Sequence, residues 1–146
     1  MNVRFVYELS RSTSKSCSLR GGNELISAND RLNPHVKAEL TAHLRKLSTE
    51  IAFRTYEDPK RIMFSEENPC YIGVIVCAPT KRRMDAPNWY PTIKALIDGL
   101  TDAGVFEDDN NKIITSTTFV PGPISGTKKY KFIIDIKEGV DKSWLT

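Results

Sequence analysis

The chain has 146 residues, of which 40% are hydrophobic, and this predicts one compact domain with a real core over residues 1–146. Its longest apolar runs are far shorter than the about 20 residues that a membrane-spanning helix needs, and the N-terminus lacks the apolar stretch of a secretory signal. The formal net charge is only +3, which by itself is weak evidence for a nucleic-acid partner.

The first half of the chain predicts a strand, a loop and a helix. Apolar and polar residues alternate from Val3 to Leu9, which is typical of a strand, and Ser10 to Asn23 is predicted to be a flexible loop. A helix is predicted from Pro34 to about Phe53, with Asn33 as its N-terminal cap. Its apolar face has helical spacing and consists of Val36, Leu40, Leu44, Leu47 and Ile51.

A strand and a second helix follow in the middle of the chain. Tyr71 to Ala78 is a nearly continuous apolar, β-branched run, which predicts a strand buried on both faces. The next helix is predicted from about Trp89 to Ala103, with Asn88 as its cap and Gly104 as its stop.

Two more strands are predicted near the C-terminus. Ile113 to Val120 and Lys128 to Ile136 both alternate, and the Gly/Pro loop between them, Pro121 to Gly126, predicts a hairpin. The tail from residue 139 to residue 146 is predicted to be peripheral, with Trp144 and Leu145 able to dock. This order of elements predicts an α/β (α+β) fold, in which two main helices pack on a small mixed sheet of about four or five strands.

The cysteines do not indicate a metal or redox site. Cys17, Cys70 and Cys77 form no Cys-x-x-Cys pair, and neither histidine has zinc-ligand spacing to any of them. We therefore expect reduced, structural thiols.

The segment from Met84 to Lys112 carries most of the chemistry. A basic run, Lys81-Arg82-Arg83, leads into it, and a second basic run begins at Lys128-Lys129. Acidic residues occur before, within and after the predicted second helix. They include Asp85, Asp98, Asp108 and Asp109. Carboxylates that can hold a divalent cation, next to basic side chains that can hold phosphate, are what phosphodiester cleavage requires.

Each of these features also has a simpler interpretation. Lys94 and Asp98 are four residues apart, so they could form an ordinary ion pair on the helix surface, worth about 0.3–0.5 kcal/mol. Asp85 and the Asp108-Asp109 pair could be turn residues at opposite ends of a helix about 22 Å long. Local sequence alone gives no reason for Asp85 and Asp109 to meet.

The spacing of the segment resembles the RusA-like Holliday-junction resolvases. Lys94, Asp98, Ala103-Gly104, Val105-Phe106 and Asp108-Asp109 match the family's order and spacing. Asp85 and Asn88 fit an Asp-x-Asp-Asn motif, but Pro87 stands in place of its second aspartate and the approach to Lys94 is longer.

The resemblance implies a homodimeric, cytoplasmic, bacterial or phage-encoded endonuclease that uses magnesium, or manganese in its place, to cut four-way DNA junctions. Asp85 and Asp109 would hold the metal with help from Asp98 or Asp108, and Lys94 would contact the scissile phosphate. The expected DNA-binding residues are Asn29, Arg31, Lys81, Arg82, Arg83, Asn88, Lys128 and Lys129. Two alternatives stay open, namely a junction-binding protein with weakened catalysis and a small non-enzymatic interaction protein.

Overall fold

A computed structural model describes residues 1–56 and 63–143 of the chain. It contains four strands and two long helices, joined in part by short 3₁₀ turns at Ser14–Cys17 and Ala86–Trp89. The main elements are β1 (Asn2–Leu9), α1 (Pro34–Thr55), β2 (Cys70–Cys77), α2 (Tyr90–Ala103), β3 (Ile114–Pro121) and β4 (Tyr130–Glu138).

The strands form one mixed sheet in the order β1-β4-β2-β3. Strand β4 is antiparallel to both β1 and β2, whereas β3 is parallel to β2. Both helices contribute to the core that covers one face of the sheet. The predicted fold class, a small mixed sheet with two main helices, is therefore confirmed.

The predicted hairpin between the last two strands is wrong, because β2 lies between β3 and β4. After β2, helix α2 returns the chain to the end of the sheet at which β2 began, so β3 runs parallel to β2. The loop that leaves β3 then crosses the end of β2. A Cβ atom on Gly122 would lie 2.6 Å from a methyl carbon of Ile75, which explains a glycine at this crossing.

The caps and the stop that the sequence predicts for the two helices are confirmed with one exception. The Asn33 side chain caps α1 by accepting a hydrogen bond of 2.8 Å from the His35 N–H. Gly104 ends α2 in the left-handed conformation, with φ of 93°, as predicted. Asn88 does not cap α2, because a 3₁₀ turn precedes this helix and Trp89 occupies the cap position without a side-chain hydrogen bond.

Within residues 1–56 and 63–143, the sheet is buried on one face only. In β2, fully buried residues alternate with half-buried ones, so the prediction of a strand buried on both faces is wrong. The long apolar run is explained by outer-face residues such as Ile75, which is half-buried rather than covered by a helix.

Helices α1 and α2 are in close contact where Gly99 faces Arg45 and Ser48. The buried Ser48 hydroxyl donates to the Leu96 carbonyl oxygen at 2.7 Å and lies 2.7 Å from the Tyr7 hydroxyl. These hydrogen bonds link α1, α2 and β1, and they hold α2 in position relative to the sheet.

The loop from Ser10 to Asn23 is held by a buried side chain. The Asn23 amide group donates to the carbonyl oxygens of Cys17 and Leu25 at 2.8 and 2.7 Å. The mobility predicted for this loop stays a prediction. The docking residues predicted in the tail, Trp144 and Leu145, lie outside the described residues.

None of the helices in the described ranges combines the length and apolar sequence needed to cross a bilayer. The three cysteines are free thiols. Burial raises the pKa of the Cys70 thiol to about 12, so this thiol stays protonated and unreactive at neutral pH.

Candidate active site

The ammonium group of Lys94 joins two carboxylates on the surface of α2. Its Nζ atom donates to Asp98 Oδ1 at 2.7 Å and to Asp109 Oδ2 in a second, short hydrogen bond. The Lys94–Asp98 pair is thus the expected i,i+4 pair, but it belongs to a cluster of three charged groups. The third member, Asp109, comes from beyond the end of the helix.

Asp109 reaches Lys94 because the chain reverses direction after α2. Gly104 begins the reversal, and the N–H of Val105 donates to the Leu100 carbonyl oxygen. Phe106 then forms an isolated parallel β-bridge with Phe64, which fixes the path of the returning chain. The returning segment therefore places the Asp109 carboxylate within reach of Lys94, near the middle of the helix.

The ion pair between Lys94 and Asp109 shifts the pKa of both side chains. Burial lowers the pKa of Lys94, but hydrogen bonds from its ammonium group to Asp109 and Asp98 outweigh burial, and the net pKa is raised. The hydrogen bond from Lys94 lowers the pKa of Asp109. The lysine's contribution to stability is lost only as pH rises through its raised pKa, above about 10.4. The aspartate's contribution is lost only as pH falls through its lowered pKa, below about 3.9. Both groups are charged at neutral pH.

In the described part of the chain, neither of the other two candidate metal ligands forms an ion pair with Lys94. Asp85 is exposed at the start of the 3₁₀ turn before α2, and its side chain makes no cap hydrogen bond. Asp108 is exposed and accepts hydrogen bonds from the Asp109 N–H and the Asn110 side chain. Within residues 1–56 and 63–143, no three acidic, histidine or cysteine side chains gather as a metal site.

The residues that do converge fit a site of the magnesium type with two protein ligands. Mg²⁺ prefers carboxylate oxygens, usually keeps several waters and is often held by one or two carboxylates together with substrate phosphates. Asp98 and Asp109 already share one cation, the Lys94 ammonium group. Asp98 and Asp109 are therefore the candidate ligands that lie close to one another. The expected pair, Asp85 and Asp109, does not share a cation in this way.

A cavity of about 160 Å³ opens beside the cluster, between α2 and β3. Lys94 and Asp109 line it together with polar residues of β3, among them Ser116 and Thr117. Strand β3 is an edge of the sheet, so a ligand can approach the cavity from outside.

The two basic runs meet around a second cavity, of about 410 Å³. Arg82 and Arg83 come from the loop after β2, and Lys128 comes from the loop before β4. Lys81 lines a neighbouring cavity with Arg82, whereas Lys129 is exposed and lines neither of these two cavities. Segments about 45 positions apart in the sequence therefore form one basic surface.

Three DNA-binding candidates remain. Asn88 belongs to the turn that precedes α2, and Asn29 and Arg31 lie close to this turn. The N–H of Ala28 donates to the Asn88 carbonyl oxygen at 2.7 Å, which brings the Asn29 and Arg31 segment next to that turn. Both Asn29 and Arg31 are exposed. The segment with Asn29 and Arg31 and the Asp85–Asn88 motif are therefore neighbours in space.

Arg11 is a residue that the sequence analysis missed. Its guanidinium group makes a bidentate ion pair with Asp30, at 2.9 and 2.7 Å, and lies over the Trp89 ring, 5.4 Å from its centroid. It also lines the basic cavity. Arg11 follows β1 directly, inside a polar stretch interpreted only as a loop, and no local motif marks it.

Comparisons with known proteins do not assign the chain to a family. No family model matches the chain, and no curated protein matches it. Among solved structures, a thiamine-monophosphate kinase from Stenotrophomonas maltophilia K279a aligns with 98% of this chain and 32% of its own length, at 11% sequence identity. The chain thus spans about a third of that protein, and the TM-score of 0.25 is too low to carry any argument.

Proposed function

We propose that the protein is a magnesium-dependent endonuclease that cuts branched DNA, with four-way junctions as its substrate. The observation that carries the proposal is the contact of Lys94 with both Asp98 and Asp109, three residues of the resolvase-like segment. Lys94 and Asp109 also line a cavity. The preference for branched DNA rests on the resemblance of that segment.

The residues of the cluster have complementary tasks in this proposal. Asp98 and Asp109 hold the metal ion, which when bound supplies an activated water and stabilises negative charge on the phosphate. Lys94 is a flexible cation on the same helix face as Asp98, and it donates to the scissile phosphate or to the leaving oxygen. An ammonium group is protonated at neutral pH, so it can donate in this way.

The basic surface supplies the binding energy. Arg82, Arg83 and Lys128 surround one cavity, and Asn29 and Arg31 lie near the turn that connects it to α2. Phosphate contacts of this kind position DNA without reading its sequence. They suit a substrate that is recognised by its shape.

A junction-binding protein with weak or no cleavage is the second candidate. Pro87 replaces a motif acid, and Asp85 is separate from the Lys94 cluster, so the described residues offer two clustered carboxylates rather than three. A site with fewer ligands holds magnesium less firmly.

A cleavage and gel-shift assay separates the possibilities. A labelled four-way junction is incubated with the protein in Mg²⁺ and in EDTA, beside Asp109→Asn. The Asp102→Asn variant is the matched control, because Asp102 lies on the same helix but pairs with Arg45 instead. We expect cutting in Mg²⁺ that only Asp109→Asn abolishes. A shift without cutting supports the binding protein, and neither effect leaves a non-enzymatic interaction protein.

Replacing both Arg82 and Arg83 by Gln should change how binding depends on salt. Each lost phosphate contact lowers the slope of log K against log[salt] by about 0.9, so we expect the slope to fall by about 2. Fluorescence anisotropy on a junction at several salt concentrations measures this. Neutralising Lys37 and Lys46 on α1 is the control, and an equal loss of slope there would argue against a specific basic surface.

A homodimer is part of the proposal because it explains paired cuts in opposing strands. The open face of the sheet carries a row of four apolar residues, Val6, Ile133, Ile75 and Val120, in register across all four strands. Val6 and Val120 are 42% and 43% exposed. A second copy packed on this row would remove them from water. Sedimentation velocity tests it, and a monomer at assay concentrations would contradict paired cutting by a dimer.

A further inference from the structure

The cavity between α2 and β3 has a wall that the cluster of Lys94, Asp98 and Asp109 does not explain. Ser116 lines it, and the Ser116 hydroxyl oxygen is buried without a hydrogen-bond partner in the described part of the chain. A buried hydroxyl without a partner costs free energy, so such groups are rare in folded proteins and often mark the position of a ligand.

Strand β3 is irregular at the position of Ser116. Cys70 of β2 pairs with Ile114, but Ile72, two residues later, pairs with Thr117, three residues later. Strand β3 therefore carries one extra residue between these pairs, as in a β-bulge. Bulges interrupt the side-chain alternation of a strand and are enriched at sheet edges and beside functional sites.

The neighbouring hydroxyl gives a direct comparison. Thr115 also lines the cavity, but its hydroxyl group donates to the Cys70 carbonyl oxygen at 2.8 Å. One hydroxyl of the bulge therefore holds the strand in place, whereas the next, on Ser116, has no hydrogen-bond partner among the described residues.

The other walls of the cavity fit a flat, neutral ring. Tyr90 is half exposed at one side, and its ring is braced by Phe119 at a centroid distance of 6.3 Å. Ile97 and Ile114 supply apolar contacts.

We propose that this cavity receives one unstacked nucleobase next to the phosphate that is cut, and that the Ser116 hydroxyl reads the edge of that base. This inference rests on the proposed function, because it takes the ligand to be DNA. Stacking on Tyr90 tolerates any base, whereas hydrogen bonds to a base edge distinguish one base from another. With Thr117 and Asn111 also at the cavity, Ser116 would determine sequence preference.

Two measurements on Ser116→Ala test the proposal. Thr115→Val is the comparison for stability, and Thr118→Val is the control for base preference. The first is the thermal stability of the free protein. Removing an unpartnered buried hydroxyl should leave the melting temperature unchanged or higher, whereas Thr115→Val should lower it by removing a formed hydrogen bond.

The second measurement is base preference. Cleavage is measured on junctions that differ only in the base beside the cut, and binding is measured by anisotropy with fluorescein-labelled heptamers of dA, dC and dT in Mg²⁺. We expect at least a tenfold preference in the wild type and a reduction to threefold or less in Ser116→Ala. We expect no change in Thr118→Val, because Thr118 is exposed on β3 and does not line the cavity. Tyr90→Ala should weaken binding to all sequences alike.

The binding measurement tests the base pocket independently of the proposed cleavage activity. If no protein cuts but Ser116→Ala loses the wild type's base preference in binding, the base pocket stands and the proposed cleavage fails. If the wild type has no base preference, or if Ser116→Ala keeps it in both assays, the pocket does not read a base and the inference is overturned.

Discussion

Lys94→Met is expected to cut a four-way junction at least about 100-fold more slowly than the wild type while remaining folded. A single donor aimed at charge that develops in the transition state is worth about 10²- to 10³-fold in rate. Methionine retains the aliphatic stem but removes the ammonium group that joins Asp98 and Asp109. Because the Lys94 side chain is 44% exposed, its ion pairs are worth little to stability. Single-turnover cleavage, beside circular dichroism, measures both effects.

The same variant distinguishes a catalytic lysine from one that only holds the acids in place. Without the ammonium group, Asp98 and Asp109 have no competing cation, so Mg²⁺ should bind at least as tightly as before, as measured by titration calorimetry. Lys46→Met, on the exposed surface of α1, is the control and should cut normally. Cleavage by Lys94→Met within about threefold of the wild type would remove Lys94 from the mechanism.

Gly99→Ala is expected to lower the free energy of unfolding by about 2–4 kcal/mol, although alanine is the better helix former. An added Cβ would lie 2.3 Å from the Arg45 carbonyl oxygen and 2.7 Å from the Ser48 Cβ. Both are atoms of the facing helix that no side-chain rotation can move. The helices must separate, and the hydrogen bond from Ser48 to the Leu96 carbonyl oxygen would be stretched.

Thermal and urea unfolding measure this loss, which corresponds to about 10 °C in melting temperature for a domain of this size. Gly73→Ala is the matched control, since a Cβ there meets no atom within 4 Å and the backbone is an ordinary strand. That variant should be neutral or slightly stabilising. If Gly99→Ala is as stable as Gly73→Ala, the two helices are not in the close contact described.

Local signals were enough to predict most of the secondary structure. The Pro34 start and the Asn33 cap are properties of a few adjacent residues, as is the left-handed Gly104 stop, and all three were confirmed. The Asn88 cap failed locally, because a 3₁₀ turn precedes α2. The other predictions that failed depended on distant parts of the chain. The hairpin was inferred because the two strands are adjacent in the sequence, but β4 pairs with β2 rather than with β3.

In the candidate site, too, some contacts follow from local sequence and others depend on distant parts of the chain. The i,i+4 spacing of Lys94 and Asp98 fixed their contact, because one helical turn brings such residues together. Asp109 joined them only through the reversal after Gly104 and the bridge between Phe106 and Phe64. Arg11 had no local motif, and its ion pair with Asp30 forms across a loop.

The sequence by itself determined where the helices and strands lie, because capping, periodicity and turn residues act over a few positions. It also placed Lys94 and Asp98 on one helix face. Only the tertiary structure decided that Asp109 joins them while Asp85 does not. It also decided that two basic runs share one cavity and that Ser116 is left without a partner. The physical reason is that strand order, chain reversal and bulges depend on which distant surfaces pack together, and no single segment carries that information.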